Sequence, residues 1–328
     1  MSKPIQEPVT FTAACAIERD YIYVAGKPDS LDSEEAFSRL FFFDEQNAGR
    51  PWAHHDLPDW DVVSLCAHAN AFGVKRVYCA LSRNGEIEYR WPAGEHVERI
   101  EEAGVARTAL PIFGYVSAIR EIAGQLYVCG SGGQVYLRVG ADWLHIAPAL
   151  KTAAHAPSPG LALNSINAEP HNFAAIDGFA ADDIYVVGEN GEIQHFDGVE
   201  WTRSATPTDE ILTAVHCAED GAVWACGFNG TLLRGNHDSG FTELSAVDDN
   251  MIFSSVVTFA GAAYLASSEG LLRFDGNAIK AVAEAGEVSV PDVMSLDVRD
   301  GVLWCFGYTS FARFDGTRWT RINHPDNS

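Results

Sequence analysis

The chain has 328 residues, and 22 Lys+Arg against 45 Asp+Glu give a formal charge of −23; the polyanions nucleic acid and anionic membrane are thereby excluded as direct partners. An apolar fraction of 47% with 11% aromatics is ample for a packed core and excludes wholesale disorder. Length alone suggests two domains, but large all-β folds keep one domain at this size.

The opening residues 1–8 lack the apolar core of a secretory signal. No apolar run approaches the roughly 20 residues of a spanning helix. Seven cysteines (15, 66, 79, 129, 217, 226 and 305) make an odd count without a CxxC pair. Cys79, Cys129, Cys226 and Cys305 lie one or two residues after an aromatic in strand-like runs, where small buried residues are favoured. Reduced core thiols and a cytoplasmic location are expected.

Seven short runs then share one form, centred on Tyr23, Tyr78, Tyr127, Tyr185, Trp224, Tyr264 and Trp304. Successive centres are 55, 49, 58, 39, 40 and 40 residues apart, a base period near 40 with three early insertions. Each unit resolves into four strands. In the fourth these are 173–176, 184–188, 192–196 and 201–203, with Asn190-Gly191 joining the second to the third and Asp197-Gly198 the third to the fourth. Both pairs favour the positive φ of tight hairpins. Asn84-Gly85 and Asn229-Gly230 repeat the first turn signal; Asp275-Gly276 and Asp315-Gly316 repeat the second.

A four-stranded meander cannot bury both faces alone, whereas seven stacked radially bury them against one another. The expected fold is therefore all-β, a single seven-bladed β-propeller over residues 1–328. Its blades run approximately 9–58, 59–104, 112–148, 171–206, 209–247, 250–285 and 290–324. The terminal blades each look complete, so a swapped closing strand is not required, although residues 5–10 could add along an edge.

On these residues, Ile184 to Arg203 above all, the chain resembles the bacterial WD-repeat-like, YVTN and sialidase-type propeller repeats. Asp197-Gly198-Val199-Glu200-Trp201 and Asp315-Gly316-Thr317-Arg318-Trp319 are one residue shorter between Asp and Gly than the sialidase Asp-box. The Gly-His and Trp-Asp signatures of true WD repeats are absent. The resemblance implies the fold and a turn-fixing role for these aspartates; it carries no activity, because one fold hosts many.

Signs of chemistry are sparse. His54-His55 would point to opposite faces of a strand, and the other histidines lack metal-ligand spacing. No metal and no cofactor is expected. Gly130-Ser131-Gly132-Gly133 reads as a hairpin, not a phosphate loop. The channel-lining first strands carry Arg120, Asp177, His216 and Asp297. Two acids could flank a sugar, yet there is no arginine triad.

The insertions are more informative. Segments 27–39, 101–113 and 148–172 all fall on the face that bears the inter-blade connections and the second-to-third-strand turns, and loops on one rim of a rigid scaffold suit recognition. That face is acidic. Its candidate binding residues are Asp29, Asp32, Glu34, Glu35, Asp59, Trp60, Asp61, Glu101, Glu102, Leu161, Leu163, Asp248 and Asp249, with Phe173 as a further apolar anchor.

The expected function is a non-enzymatic propeller that captures a basic protein through this face. In its concrete version it is a bacterial immunity protein neutralising a toxin, for example by covering a nuclease's cationic cleft; a scaffold subunit is a second binding version. The competing class is a carbohydrate-active enzyme or lectin with its site at the channel mouth.

Overall fold

The repeated aromatics each lie on the second strand of a four-stranded antiparallel sheet. The computed structural model describes residues 7–105, 111–152, 170–245, 250–282 and 293–327. It contains seven such sheets, spanning residues 9–58, 62–99, 116–145, 173–203, 212–243, 253–281 and 293–323, each with its strands in sequential order. The only helical elements among the described residues are single 3-10 turns. The fold is an all-β, seven-bladed propeller.

The turn chemistry is local. Asn190 and Gly191 both adopt positive φ (56° and 59°), the backbone of a two-residue hairpin that matches strand twist. Asp197, Asp275 and Asp315 each accept two backbone N–H bonds from the residues two and three positions on, at 2.8–3.0 Å. These aspartates hold turns. Asn84 departs from the pattern: only Gly85 of that pair has positive φ, and the Asn84 amide oxygen accepts the Val105 N–H instead.

A bulge recurs at the start of the first strand. The register slips between Phe11 and Ala13, Phe173 and Ala175, Phe253 and Ser255, and Val293 and Ser295. The slip turns the leading Phe or Val inward, and all four are at most 2% exposed. Opposite Phe173 stands Gly188, where a Cβ would lie 1.9 Å from the Asn172 carbonyl oxygen. Only glycine allows that approach.

The chain forms two compact units, each with its own cores. One comprises Met1–Leu65, Cys226–Thr231 and Leu244–Ser328; the other comprises Cys66–Ala225 and Leu232–Glu243. In the first unit, blade one packs on blade seven through Phe11, Phe41, Trp304, Phe306 and Phe311. Around that core the Phe11 N–H donates to the Tyr308 carbonyl at 2.8 Å. The Asn327 amide clasps both the N–H and the C=O of Val9 at 2.8 Å. Asp297, on the first strand of blade seven, accepts the Ala16 N–H at 2.9 Å. Both blades supply all four of their own strands, so side chains join them without a swapped strand.

The second unit uses the same device between neighbouring first strands. Asp177 accepts the Cys217 N–H at 2.9 Å, and Glu121 accepts the Ala69 N–H at 3.0 Å. None of the seven cysteines forms a disulfide, and six are buried. Burial pushes the Cys129 and Cys305 thiols far up, which keeps them protonated.

Candidate partner-binding face

Consider first the residues singled out for chemistry. His54 and His55 lie against different rings, Phe41 and Phe42, as opposite faces of a strand require. No group of three or more His, Cys, Asp or Glu among the described residues could hold a metal ion. Arg120, Asp177 and His216 do meet: Arg120 Nε lies 3.4 Å and His216 Nδ1 3.8 Å from the Asp177 carboxylate. That carboxylate is buried and already caps a backbone N–H, as Asp297 does for Ala16. These acids hold first strands together, and neither presents an unengaged carboxylate to a substrate.

The acidic residues sort by what they touch. In the first unit, residues 29–36 connect the second strand (Tyr21–Pro28) to the third (Phe37–Asp44) of blade one. Asp29 is engaged by the Thr10 hydroxyl at 2.8 Å and Asp32 by the Glu34 N–H at 3.0 Å, so both shape the loop. Lys27 Nζ donates to the carbonyls of Ser33 and Glu35, tying the loop to its stem. Glu34, Glu35 and Asp59 are exposed, and their carboxylates make no ion pair among the described residues. Asp59 sits at φ 68° with its N–H on the Ala36 carbonyl, which brings the exit of blade one beside the loop. The half-buried Trp60 is held there through its carbonyl, which accepts the Ser38 hydroxyl at 3.0 Å; the half-buried Asp61 follows it. The structure thus gathers Asp29, Asp32, Glu34, Glu35, Asp59, Trp60 and Asp61 at one end of blade one.

Besides Lys27, Arg39 is a cation of that neighbourhood, and it is spent. Its guanidinium grips Asp56 at 2.6 and 3.0 Å and Glu7 at 3.0 Å. The Arg39 bond holds the Asp56 carboxyl below its ordinary range; for Glu7 the Ser30 hydroxyl does most, then Arg39.

In the second unit, Glu101 and Glu102 are both exposed but differ in state. The Glu102 carboxylate is paired with Lys151, whose ammonium also lies 4.2 Å from the centre of the Phe113 ring. Glu101 has no such partner among the described residues. Sequence alone makes the pair equivalent; only Glu101 offers an uncompensated charge.

The longest insertion leaves from Thr152 and returns at His171. Its stem is pinned to the Ser131–Gly133 turn: Thr152 N–H donates to the Gly132 carbonyl at 2.9 Å, and Gly133 N–H to the His171 carbonyl at 2.6 Å. His171 Nδ1 lies 2.6 Å from the Glu192 carboxylate, which raises the His171 pKa. Burial works against the Glu192 charge, but the His171 and Gln194 bonds outweigh it and lower its pKa. Leu161, Leu163, Asp248 and Asp249 lie outside the described residues. Phe173 is a correction: it is 2% exposed and packs with Ile176, Ile184 and Val186 in the core, so it cannot anchor a partner.

Sequence reasoning missed the exposed apolar groups at the same ends of the blades. Tyr115 is 41% exposed with the Arg83 guanidinium 5.2 Å from its ring centre, and Ile211 is exposed on the entry to the fifth blade. In the first unit Ile252 and Tyr308 are exposed likewise. Tyr308 occupies a hairpin tip where polar turn residues are the norm, and that anomaly is a readable signal. Exposed aromatics are usual ingredients of a protein-binding surface.

No family model matches the chain. The fold resembles solved propellers at a level that shows architecture alone. The WD40 β-propeller domain of Doa1 superposes with a TM-score of 0.63 at 12% identity, covering 95% of this chain and 93% of that one. U3-55K gives 0.58 at 11%, covering 96% and 92%. YCF48 bound to D1 peptide gives 0.58 at 12%, covering 93% and 91%. Sequence similarity is far more specific in one case. The immune protein Tsi7 of Pseudomonas aeruginosa is 39% identical over 315 residues, 93% of this chain and 94% of that protein. Kinship with an immune protein on a propeller scaffold points to a non-enzymatic, protein-binding role, in keeping with first-strand acids already committed to the backbone. At that identity and coverage, the chain belongs to the family of the immune protein Tsi7.

Proposed function

We propose that this chain is an immunity protein that binds a protein toxin and neutralises it by occupation, without chemistry of its own. The observation that carries the reading is the 39% identity over 93% of the chain to an immune protein. The partner is a basic toxin domain, captured through the connection-bearing ends of the blades. Glu34, Glu35, Asp59 and Glu101 supply the long-range attraction, and Trp60 and Tyr115 the apolar contact. Leu161, Leu163, Asp248 and Asp249 belong to the same proposed surface, with Asp29, Asp32, Asp61 and Glu102 as its framework. The cytoplasm is the proposed compartment. No helix among the described residues is long and apolar enough to cross a membrane.

The test is co-expression with a candidate toxin, sought first among the products of neighbouring genes, followed by co-purification and a toxicity assay. Protection with a stable complex is expected. The attraction should be salt-sensitive: association slows between about 0.05 and 0.5 M salt, where the screening length falls from about 14 to about 4 Å. Protection without any complex would refute neutralisation by occupation. A complex whose association rate ignores salt would refute the basic partner and the acidic face.

A further inference from the structure

The seven blades share one four-stranded plan, so a residue can be judged against its counterparts. The repeated aromatic of each second strand faces a residue on the third strand, and in five blades that residue is basic. Tyr78 faces Arg90, Tyr185 faces His195, Tyr264 faces Arg273 and Trp304 faces Arg313; Arg234 lies over the Trp224 ring at 5.5 Å. Four of the five are held by a carboxylate: Arg90 by Glu95 at 2.6 Å, His195 by Asp183 at 2.9 Å, Arg234 by Asp220 at 3.0 Å and Arg313 by Glu45 at 2.6 Å. Arg273 is the exception. It lies over the Tyr264 ring at 5.9 Å, and no carboxylate pairs with it among the described residues.

The sequence accounts for one missing acid, the one a neighbouring blade would supply. Arg313 is reached by Glu45 of blade one, the residue after Asp44, which holds its own turn through the Gln46 N–H. At the corresponding turn of blade seven, Asp315 is consumed by the Thr317 and Arg318 N–H groups. The next residue is Gly316, which has no side chain to send. Beside the exposed Arg273 lies a half-open groove with a volume of about 390 Å³, lined by Tyr264, Arg273, Asp275, Lys280, Phe314 and Trp319 among others. That volume is in the range of small-molecule sites.

The lining selects the ligand. Phe314 and Trp319 are stacked, with ring centres 4.8 Å apart and planes 19° apart, and present a flat apolar wall. Lys280 is neutralised by Asp275 at 2.7 Å, so one net positive charge remains, on a planar fork suited to bidentate carboxylate. We propose that this groove between blades six and seven binds a monocarboxylate carried on an aromatic body. The carboxylate does for Arg273 what Glu95, Asp183, Asp220 and Glu45 do for its four basic counterparts, and the ring lies against Trp319. A dianionic phosphate is disfavoured by the single charge. The site lies at the third-to-fourth-strand turns, the blade ends opposite the proposed partner surface, and is independent of the toxin reading.

The experiment is calorimetric titration of the full chain with 1-naphthoate, 1-naphthamide and inorganic phosphate. Saturable, single-site binding of 1-naphthoate is expected, with naphthamide weaker by about tenfold or more and phosphate undetected. Arg273→Gln should weaken naphthoate by about tenfold or more, and Arg273→Lys should restore only part of the loss. Trp319→Leu should weaken both naphthyl probes equally. Circular dichroism melts confirm that each variant folds; should one fail, the amide-to-acid ratio on the unmodified chain decides between the outcomes. No naphthoate binding at about 10 mM, corresponding to a free energy weaker than about −3 kcal/mol, would overturn the proposal. So would equal affinity of acid and amide, unchanged affinity in Arg273→Gln, or phosphate binding as tightly as naphthoate.

Discussion

Removing the Phe11 ring tests how blades one and seven are joined. Phe11 is fully buried, with Phe311 at 4.6 Å, Phe41 at 5.8 Å and His324 at 5.9 Å between ring centres. A buried Phe→Ala change costs about 3–5 kcal/mol, the upper end applying where neighbours cannot collapse. Here they cannot collapse easily, because the rings around Phe11 come from both terminal blades and are pinned by strand pairing. For 328 residues, an unfolding entropy of about 2.1 cal/mol/K per residue gives about 0.7 kcal/mol/K, so the melting temperature should fall by about 4–7 °C. Urea unfolding of Phe11→Ala supplies the free energy directly. Native-state hydrogen exchange supplies the location, since the Phe11 N–H bonded to the Tyr308 carbonyl should lose protection first. Asn327→Ala removes three bonds, two to Val9 and one to Thr309, and should cost about 1–3 kcal/mol. A Phe11→Ala penalty below about 1 kcal/mol, or exchange that stays protected at this seam, would refute side-chain closure.

Three further outcomes are expected. Glu101→Lys should slow toxin association by about three- to tenfold at low salt, against little change for Glu219→Lys at the opposite end of its blade; equal slowing by both would mean that net charge alone acts. Tyr115→Ala should speed dissociation by about tenfold or more while leaving association near wild type, read by surface plasmon resonance; an unchanged off-rate removes Tyr115 from the interface. Stability should also fall with acid at His324, whose burial pushes its pKa down to about 4. The unfolded chain takes up a proton near pH 6.5 while the folded chain refuses it, so this contribution is complete above pH 6.5 and is lost towards pH 4. The loss is on the order of 3 kcal/mol. Urea midpoints of the wild type and His324→Phe between pH 7.5 and 4.5 check it, and parallel curves would refute it.

The propeller is legible in the sequence because its determinants are local and repeated. Asn190-Gly191 and Asp315-Gly316 announce turns through backbone physics that needs no tertiary context, and the spaced aromatics count the blades. Side-chain direction is less legible. Phe173 reads as a rim anchor because it borders an insertion, but the bulge between Phe173 and Ala175 rotates it into the core, and period-two alternation cannot register a bulge. The state of each acid is equally hidden. Glu101 and Glu102 are neighbours in sequence, yet only Glu102 meets Lys151, from a segment 49 residues away. Long loops are the natural place to look for apolar anchors, whereas Tyr308 and Tyr115 stand at a hairpin tip and a strand entry. The unpaired state of Arg273 shows only when blades are superposed, since it rests in part on a side chain that Gly316 does not have.

The clasp between Asn327 and Val9 bears on how this molecule can be handled and rearranged. With 2.8 Å between the Asn327 amide and the Val9 backbone, a short peptide could join these two points. With Val9 and Asn327 linked in that way, the chain could be opened at another turn with the same sheets, because no blade borrows a strand across the seam. The same proximity dictates where fusions belong. Val9 is paired with Pro28 at the mouth of the 29–36 loop, on the end proposed to meet the toxin. A bulky domain fused beside Val9 or Asn327 would crowd that end, whereas a permutant opened between Arg299 and Val302, the turn from the first to the second strand of blade seven, would carry its label at the opposite end of that blade.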